Sequence, residues 1–127
     1  SYNANPASMR ATLRSLAEEK VSGRRIAVLG TMLELGDHSD REHAGLAPVV
    51  LDSKVDELIL VGEATRPLEE AIAGRIPVRR VADASGATDA LLATMRAGDA
   101  VLVKASNGVG LAKLVERVAG GAATCST

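Results

Sequence analysis

The stretch Lys104-Ala105-Ser106-Asn107-Gly108-Val109-Gly110 combines one cation, two short polar side chains and two glycines. It leaves an apolar run that reads as a strand and enters a helical pattern. Backbone N–H groups at such a turn point outward, and the helix dipole favours negative charge there. Lys104, Ser106 and Asn107 therefore make a candidate site for a carboxylate or a phosphate. A plain tight turn is the competing reading, with Ser106 or Asn107 capping the helix and Lys104 in solvent. The glycine pair is not a dinucleotide fingerprint, because the third glycine position holds Lys113.

The opening Ser1-Tyr2-Asn3-Ala4-Asn5-Pro6 is the second candidate. Side-chain amides both donate and accept, so Asn3 and Asn5 can read a purine edge or ribose hydroxyls. Asn5 also suits the N-cap of a helix that begins at Pro6. Asn3 has no such structural role and is the better functional candidate. A third stretch, Gly30 to His43, is long for a strand-to-helix connection and holds Glu34, Asp37, His38, Asp40, Glu42 and His43. Its spacing matches no zinc or calcium pattern, so no metal ligand is assigned. Ser39 to Glu42 reads as a Ser-x-x-Glu capping box.

Positioning these groups falls to alternating strands and helices. The apolar runs Ile26–Leu29, Leu58–Val61 and Ala100–Val103 are continuous, as in strands covered on both faces. Val78–Val81 is interrupted by Arg79 and Arg80 and is expected near an edge. Helices are expected over Pro6–Lys20, Arg41–Asp52 with Pro48 as a kink or break, Thr65–Ala73, Ser85–Arg96 and Gly108–Val118. The tail from Gly120 is expected to fray. This alternation predicts an α/β, Rossmann-like three-layer domain with a mostly parallel sheet flanked by helices. Ligands of such sheets bind outside the carboxyl ends of the strands, which is where all three candidate loops lie.

Composition narrows the function classes. Among 127 residues, 15 are basic and 16 acidic, for a net charge of −1. Neither a nucleic-acid surface nor an anionic-membrane surface is expected from that balance. Tyr2 is the single aromatic residue, so the core must be aliphatic and no base-stacking platform is available. One cysteine, Cys125, excludes an intrachain disulfide framework and favours a reducing, cytoplasmic compartment. No apolar run approaches the roughly 20 residues of a membrane helix. The chain lacks a phosphate loop, a nucleophile elbow and a Cys/His cluster. It starts without Met, in a loop entering a helix, and the expectation is a piece of a larger protein.

Tyr2-Asn3-Ala4-Asn5-Pro6 with Ser8-Met9-Arg10, then Ile26-Ala27-Val28-Leu29-Gly30 with Met32-Leu33-Glu34-Leu35-Gly36, then Val101-Leu102-Val103-Lys104, resemble the C-terminal domain of the Mur ligases. Among its branches the resemblance is greatest to the one that joins D-alanyl-D-alanine to UDP-N-acetylmuramoyl-tripeptide. It implies a three-domain, ATP- and Mg²⁺-dependent amide ligase of cell-wall synthesis that works through an acyl phosphate. This chain would be the third domain, residues 1–127, inactive alone. It would close over ATP held mainly by a central domain, while an N-terminal domain binds the UDP-sugar peptide. The resemblance places Tyr2, Asn3 and Asn5 against the nucleotide, and Lys104, Ser106 and Asn107 against the amino substrate. The family commonly reads Lys-Gly-Ser-Arg at the latter loop. Here the Arg is absent, leaving Lys104, Ser106 and the helix N-terminus as donors. Folylpolyglutamate synthase, of the same superfamily, carries a His where Ala4 stands. A non-enzymatic receiver-like module would need acidic residues after the first strand, where Gly30-Thr31-Met32-Leu33 stands.

Overall fold

The computed structural model describes residues 5–105, 110, 111 and 113, and the backbone of 123–125. The first helix, α1 (Pro6–Glu18), starts as its sequence dictates. The Asn5 side-chain oxygen accepts from the Ser8 N–H at 2.9 Å, and Ser8 Oγ accepts from the Asn5 N–H at 3.3 Å. Pro6 stands at the first helical position, where its missing donor costs nothing. Met9, Leu13 and Leu16 form the buried stripe. At the other end, the Arg25 guanidinium donates to the carbonyls of Leu16 and Glu19 in the last turn and cap of the helix. That contact sets the end of α1 beside the start of strand β1 (Arg25–Gly30). The helix therefore runs back along the strand, and Asn5 lies toward the strand's carboxyl end.

Strands β2 (Glu57–Val61), β3 (Val78–Val81), β4 (Ala100–Lys104) and β5 (Ala123–Cys125) complete a sheet of order β3-β2-β1-β4-β5. Every pairing is parallel. Alternate residues of the central strands feed two cores. Ala27, Leu29, Leu58, Leu60 and Leu102 pack with Met9, Leu13 and Leu68 on one face. Ile26, Val28, Ile59, Val101 and Val103 pack with Ala87, Leu91 and Leu111 on the other. Burial from both sides explains the continuous apolar runs. As expected, β3 is at the edge: Arg79 is exposed, and Arg80 is held by Glu69 at 2.8 Å and Glu63 at 2.7 Å.

Three expectations need correction. The helix expected over Arg41–Asp52 is two, α2 (Ser39–Ala44) and α3 (Ala47–Asp52), separated at Gly45 and Leu46. Pro48 falls in the first turn of α3, which tolerates it. The Ser39–Glu42 capping box does not form: Ser39 is already helical, and its hydroxyl lies 3.3 Å from His43 Nδ1. The tail expected to fray contributes β5, whose Ala123, Thr124 and Cys125 pair with Val101, Leu102 and Val103. The remaining helices follow their signals. In α4 (Arg66–Ile72), Pro67 lies in the first turn, and Gly74 beyond its end has φ +82°. For α5 (Ala84–Thr94), the Asp83 carboxylate caps by accepting from the Gly86 N–H at 2.9 Å. Of the helix expected over Gly108–Val118, the described Gly110, Leu111 and Lys113 are helical. No helix among the described residues is long and apolar enough to cross a membrane.

Candidate functional site

From β1 the chain moves to β2 and β3 on one side, and later places β4 on the other. The neighbouring strands β1 and β4 thus flank the point where strand order reverses. In open parallel sheets the crevice beyond the carboxyl ends at such a point takes the ligand. Here Gly30 and Thr31 leave β1 at this rim, while Lys104 ends β4 and Ala105 follows it. The register pairs Leu29 with Lys104, so the two strands finish level.

The rim is tightly packed. A Cβ on Gly30 would stand 2.8 Å from the Ala105 Cβ and 3.0 Å from its Cα, so only glycine fits. Gly62, following β2, has φ +104°, and a Cβ there would meet Thr31 Oγ1 at 2.5 Å. The Thr31 hydroxyl donates to the Val61 carbonyl at 3.3 Å, tying the β1 exit to β2. Thr65 Oγ1, buried, donates to the Gly62 carbonyl at 2.6 Å and shapes the next turn. Between these exits lies a shallow cleft of about 170 Å³, lined by Gly30, Thr31, Leu33, Gly62 and Ala105, among others.

Lys104 is only 3% exposed, which rules out the reading that left it in solvent. Its side chain is packed in, and it has an interaction partner. Asn5 takes its capping role through its side-chain oxygen. It is exposed, toward the same rim. Tyr2, Asn3, Ser106 and Asn107 lie outside the described residues. Among the described residues no group of three or more His, Cys, Asp or Glu side chains could hold a metal ion.

One rim residue stands out in the sequence only as a conceivable metal ligand. His43, 1% exposed, reaches from α2 to the loop after β1. Its Nε2 accepts from the Met32 N–H at 2.9 Å, and Nδ1 lies 2.8 Å from the Ser39 carbonyl. Accepting at Nε2 puts the proton on Nδ1, which donates to Ser39. A Ser four residues before a His was the only trace of this in the sequence.

The opposite end of the sheet is built for stability. Asp99, nearly fully buried, accepts from the N–H groups of Arg24 and Arg96, each at 2.8 Å, and from the Arg24 guanidinium at 3.1 Å. Burial pushes the Asp99 carboxyl up. The two backbone donors and the Arg24 side chain outweigh it and hold the carboxyl below its ordinary range. Arg24 also pairs with Glu57 at 3.2 Å, joining β2 to the turn before β4.

Comparison with known proteins agrees with this architecture. The family described as Mur ligase, glutamate ligase domain, matches residues 1–107. UDP-N-acetylmuramoyl-tripeptide–D-alanyl-D-alanine ligase of Mycobacterium tuberculosis is 38% identical over 137 residues, covering 91% of this chain and 27% of that protein. The ligase of the same name from Bacillus subtilis is 31% identical over 118 residues, covering 91% and 26%. A crystal structure of MurF from Acinetobacter baumannii superposes with a TM-score of 0.68 at 26% identity, over 83% of this chain and 23% of that one. The chain thus spans about a quarter of the length of the curated relatives it matches. A parallel sheet with its strand reversal at β1 and β4, matched along most of its length by this family, makes the chain a member of the Mur ligase family through its glutamate ligase domain.

Proposed function

We propose that this chain is the C-terminal domain of a cytoplasmic ligase that condenses UDP-N-acetylmuramoyl-tripeptide with D-alanyl-D-alanine in peptidoglycan synthesis. The observation that carries the reading is the similarity, over 91% of the chain, to ligases so named in distant bacteria. The rim supports it. A buried lysine at the end of β4 is suited to hold the single carboxylate of a dipeptide while its amine reacts elsewhere in the cleft. Ser106 and Asn107 would share that task, and Tyr2, Asn3 and Asn5 would face the nucleotide.

ATP would supply the energy for joining carboxylate to amine. As the family resemblance implies, Mg²⁺ and the phosphates would be held mainly by the remainder of a longer protein. This domain's part is to bind and orient. The test is the full-length protein given UDP-N-acetylmuramoyl-tripeptide, MgATP and D-alanyl-D-alanine, with phosphate release and product mass followed together. Phosphate release that depends on the dipeptide, with a product heavier by one dipeptide less water, is expected. Product formation with glutamate and none with the dipeptide would assign the chain to another ligase of the family. Asn3→Ala should raise the KM for ATP more than that for the dipeptide, for a lost hydrogen bond of about 1–3 kcal/mol. An unchanged ATP KM with normal turnover would remove Asn3 from the site.

A further inference from the structure

We infer that His43 is the positioning residue of the rim, fixing through the Met32 backbone the loop that forms one wall of the cleft. Both ring nitrogens are committed. Nε2 takes the Met32 N–H at 2.9 Å, and Nδ1–H goes to the Ser39 carbonyl at 2.8 Å, with Ser39 Oγ 3.3 Å away. Ser39 and His43 belong to one turn of α2, whereas Met32 lies eleven residues back on the far side of the loop. The ring therefore bridges a helix to a strand exit, and does so without solvent, being 1% exposed.

What it bridges to needs holding. Met32 is buried at 2%, while its neighbour Leu33 is 48% exposed and lines the cleft. Glu34 has φ +63°, a left-handed conformation unusual for a residue with a Cβ, and Gly36 follows with φ +53°. Such a backbone persists only where its surroundings over-determine it. Thr31 is tied to Val61 on one side of Met32, and the imidazole ties Met32 itself. Gly30, two residues before Met32, touches Ala105, next to Lys104. A shift at Met32 is thereby passed to both walls of the rim.

The kinetic arm of the test rests on the ligase reading; the exchange arm does not. In the unmodified full-length protein, the Met32 amide should exchange with deuterium far more slowly than that of Leu33. His43→Phe keeps a ring and removes the acceptor. His43→Gln sets an amide oxygen where Nε2 stood. His43→Phe should speed Met32 exchange by about 10-fold or more, the equivalent of one hydrogen bond. It should also raise the KM for D-alanyl-D-alanine by about 10-fold with a smaller change in kcat, as a misplaced binding group does. His43→Gln should restore most of both. A lowered thermal midpoint with unchanged KM and unchanged Met32 exchange would make His43 a packing residue and overturn the inference. So would Met32 exchanging as fast as Leu33 in the unmodified protein, a measurement that stands even if His43→Phe does not fold. Absence of any dipeptide-dependent product from the unmodified enzyme would sink the ligase reading, and the exchange comparison would still decide the role of His43.

Discussion

At the scale of single residues, the β1–β4 junction is governed by the space between Gly30 and Ala105. A methyl group at Gly30 would press on the Cβ and Cα of Ala105 at 2.8 and 3.0 Å, so strand end or loop must move. Gly30→Ala should cost about 1–3 kcal/mol, seen as a lower thermal midpoint, as overpacking does. Adding Ala105→Gly to the same protein should recover much of that loss, since it removes one of the two clashing groups. Equal midpoints for the single and double variants would show that the strain arises elsewhere. Asp99 offers a test by pH. Its folded carboxyl titrates below its ordinary value, so its contribution is in full force above the unfolded value and is lost as pH falls through the folded one. The protein should lose stability across the acid side of the carboxylate range. Asp99→Asn should lower stability at neutral pH and flatten that acid-side slope. A slope identical in both proteins would contradict the role given to Asp99.

At the scale of elements, the sequence was most legible where one local rule decided the outcome. Pro6 after Asn5 marked the start of α1, and the structure shows the full reciprocal cap. Asn5→Ala should therefore cost about 0.5–2 kcal/mol, measurable as a shift in denaturant midpoint without a change in slope. The strands were legible because burial on both faces leaves unbroken aliphatic runs, and β3 was legible as an edge because Arg79 and Arg80 have no place in a central strand. Ser39 misled, because the helix begins one residue earlier than a cap at Ser39 requires and its hydroxyl turns toward His43. Gly45 and Leu46 hid the break between α2 and α3, since Leu46, Val49 and Val50 read as one helical stripe and Pro48 drew the expected break to the wrong place. Of the candidate site, Lys104 could be placed at a strand end from the sequence, but its burial could not. Burial of a strand-end lysine depends on packing between elements far apart in the chain, which no local pattern records. The His43–Met32 bond escaped for the same reason: an acceptor and a backbone donor leave no spacing rule behind.

At the scale of the whole molecule, the sheet places the ends of β1 and β4 side by side, with the start of α1 turned to the same rim. The chain presents this rim as a shallow cleft, and its relatives are about four times as long. A cleft that relies on a facing domain binds weakly by half of itself, because the other half supplies most of the contacts. The isolated chain should therefore show no amide synthesis and no ATP hydrolysis, and calorimetry should find no micromolar affinity for ATP. Micromolar binding would mean that this rim alone builds the nucleotide site. Under the proposed function, Lys104, buried at the strand reversal, would hold the carboxylate of the amino substrate. The most direct test is to measure the KM for D-alanyl-D-alanine and the thermal midpoint on the same full-length Lys104→Ala protein. Loss of a charge-assisted bond of about 1.5–3 kcal/mol predicts a KM raised roughly 10- to 100-fold. A lowered midpoint with an unchanged KM would contradict the account and leave Lys104 as part of the scaffold.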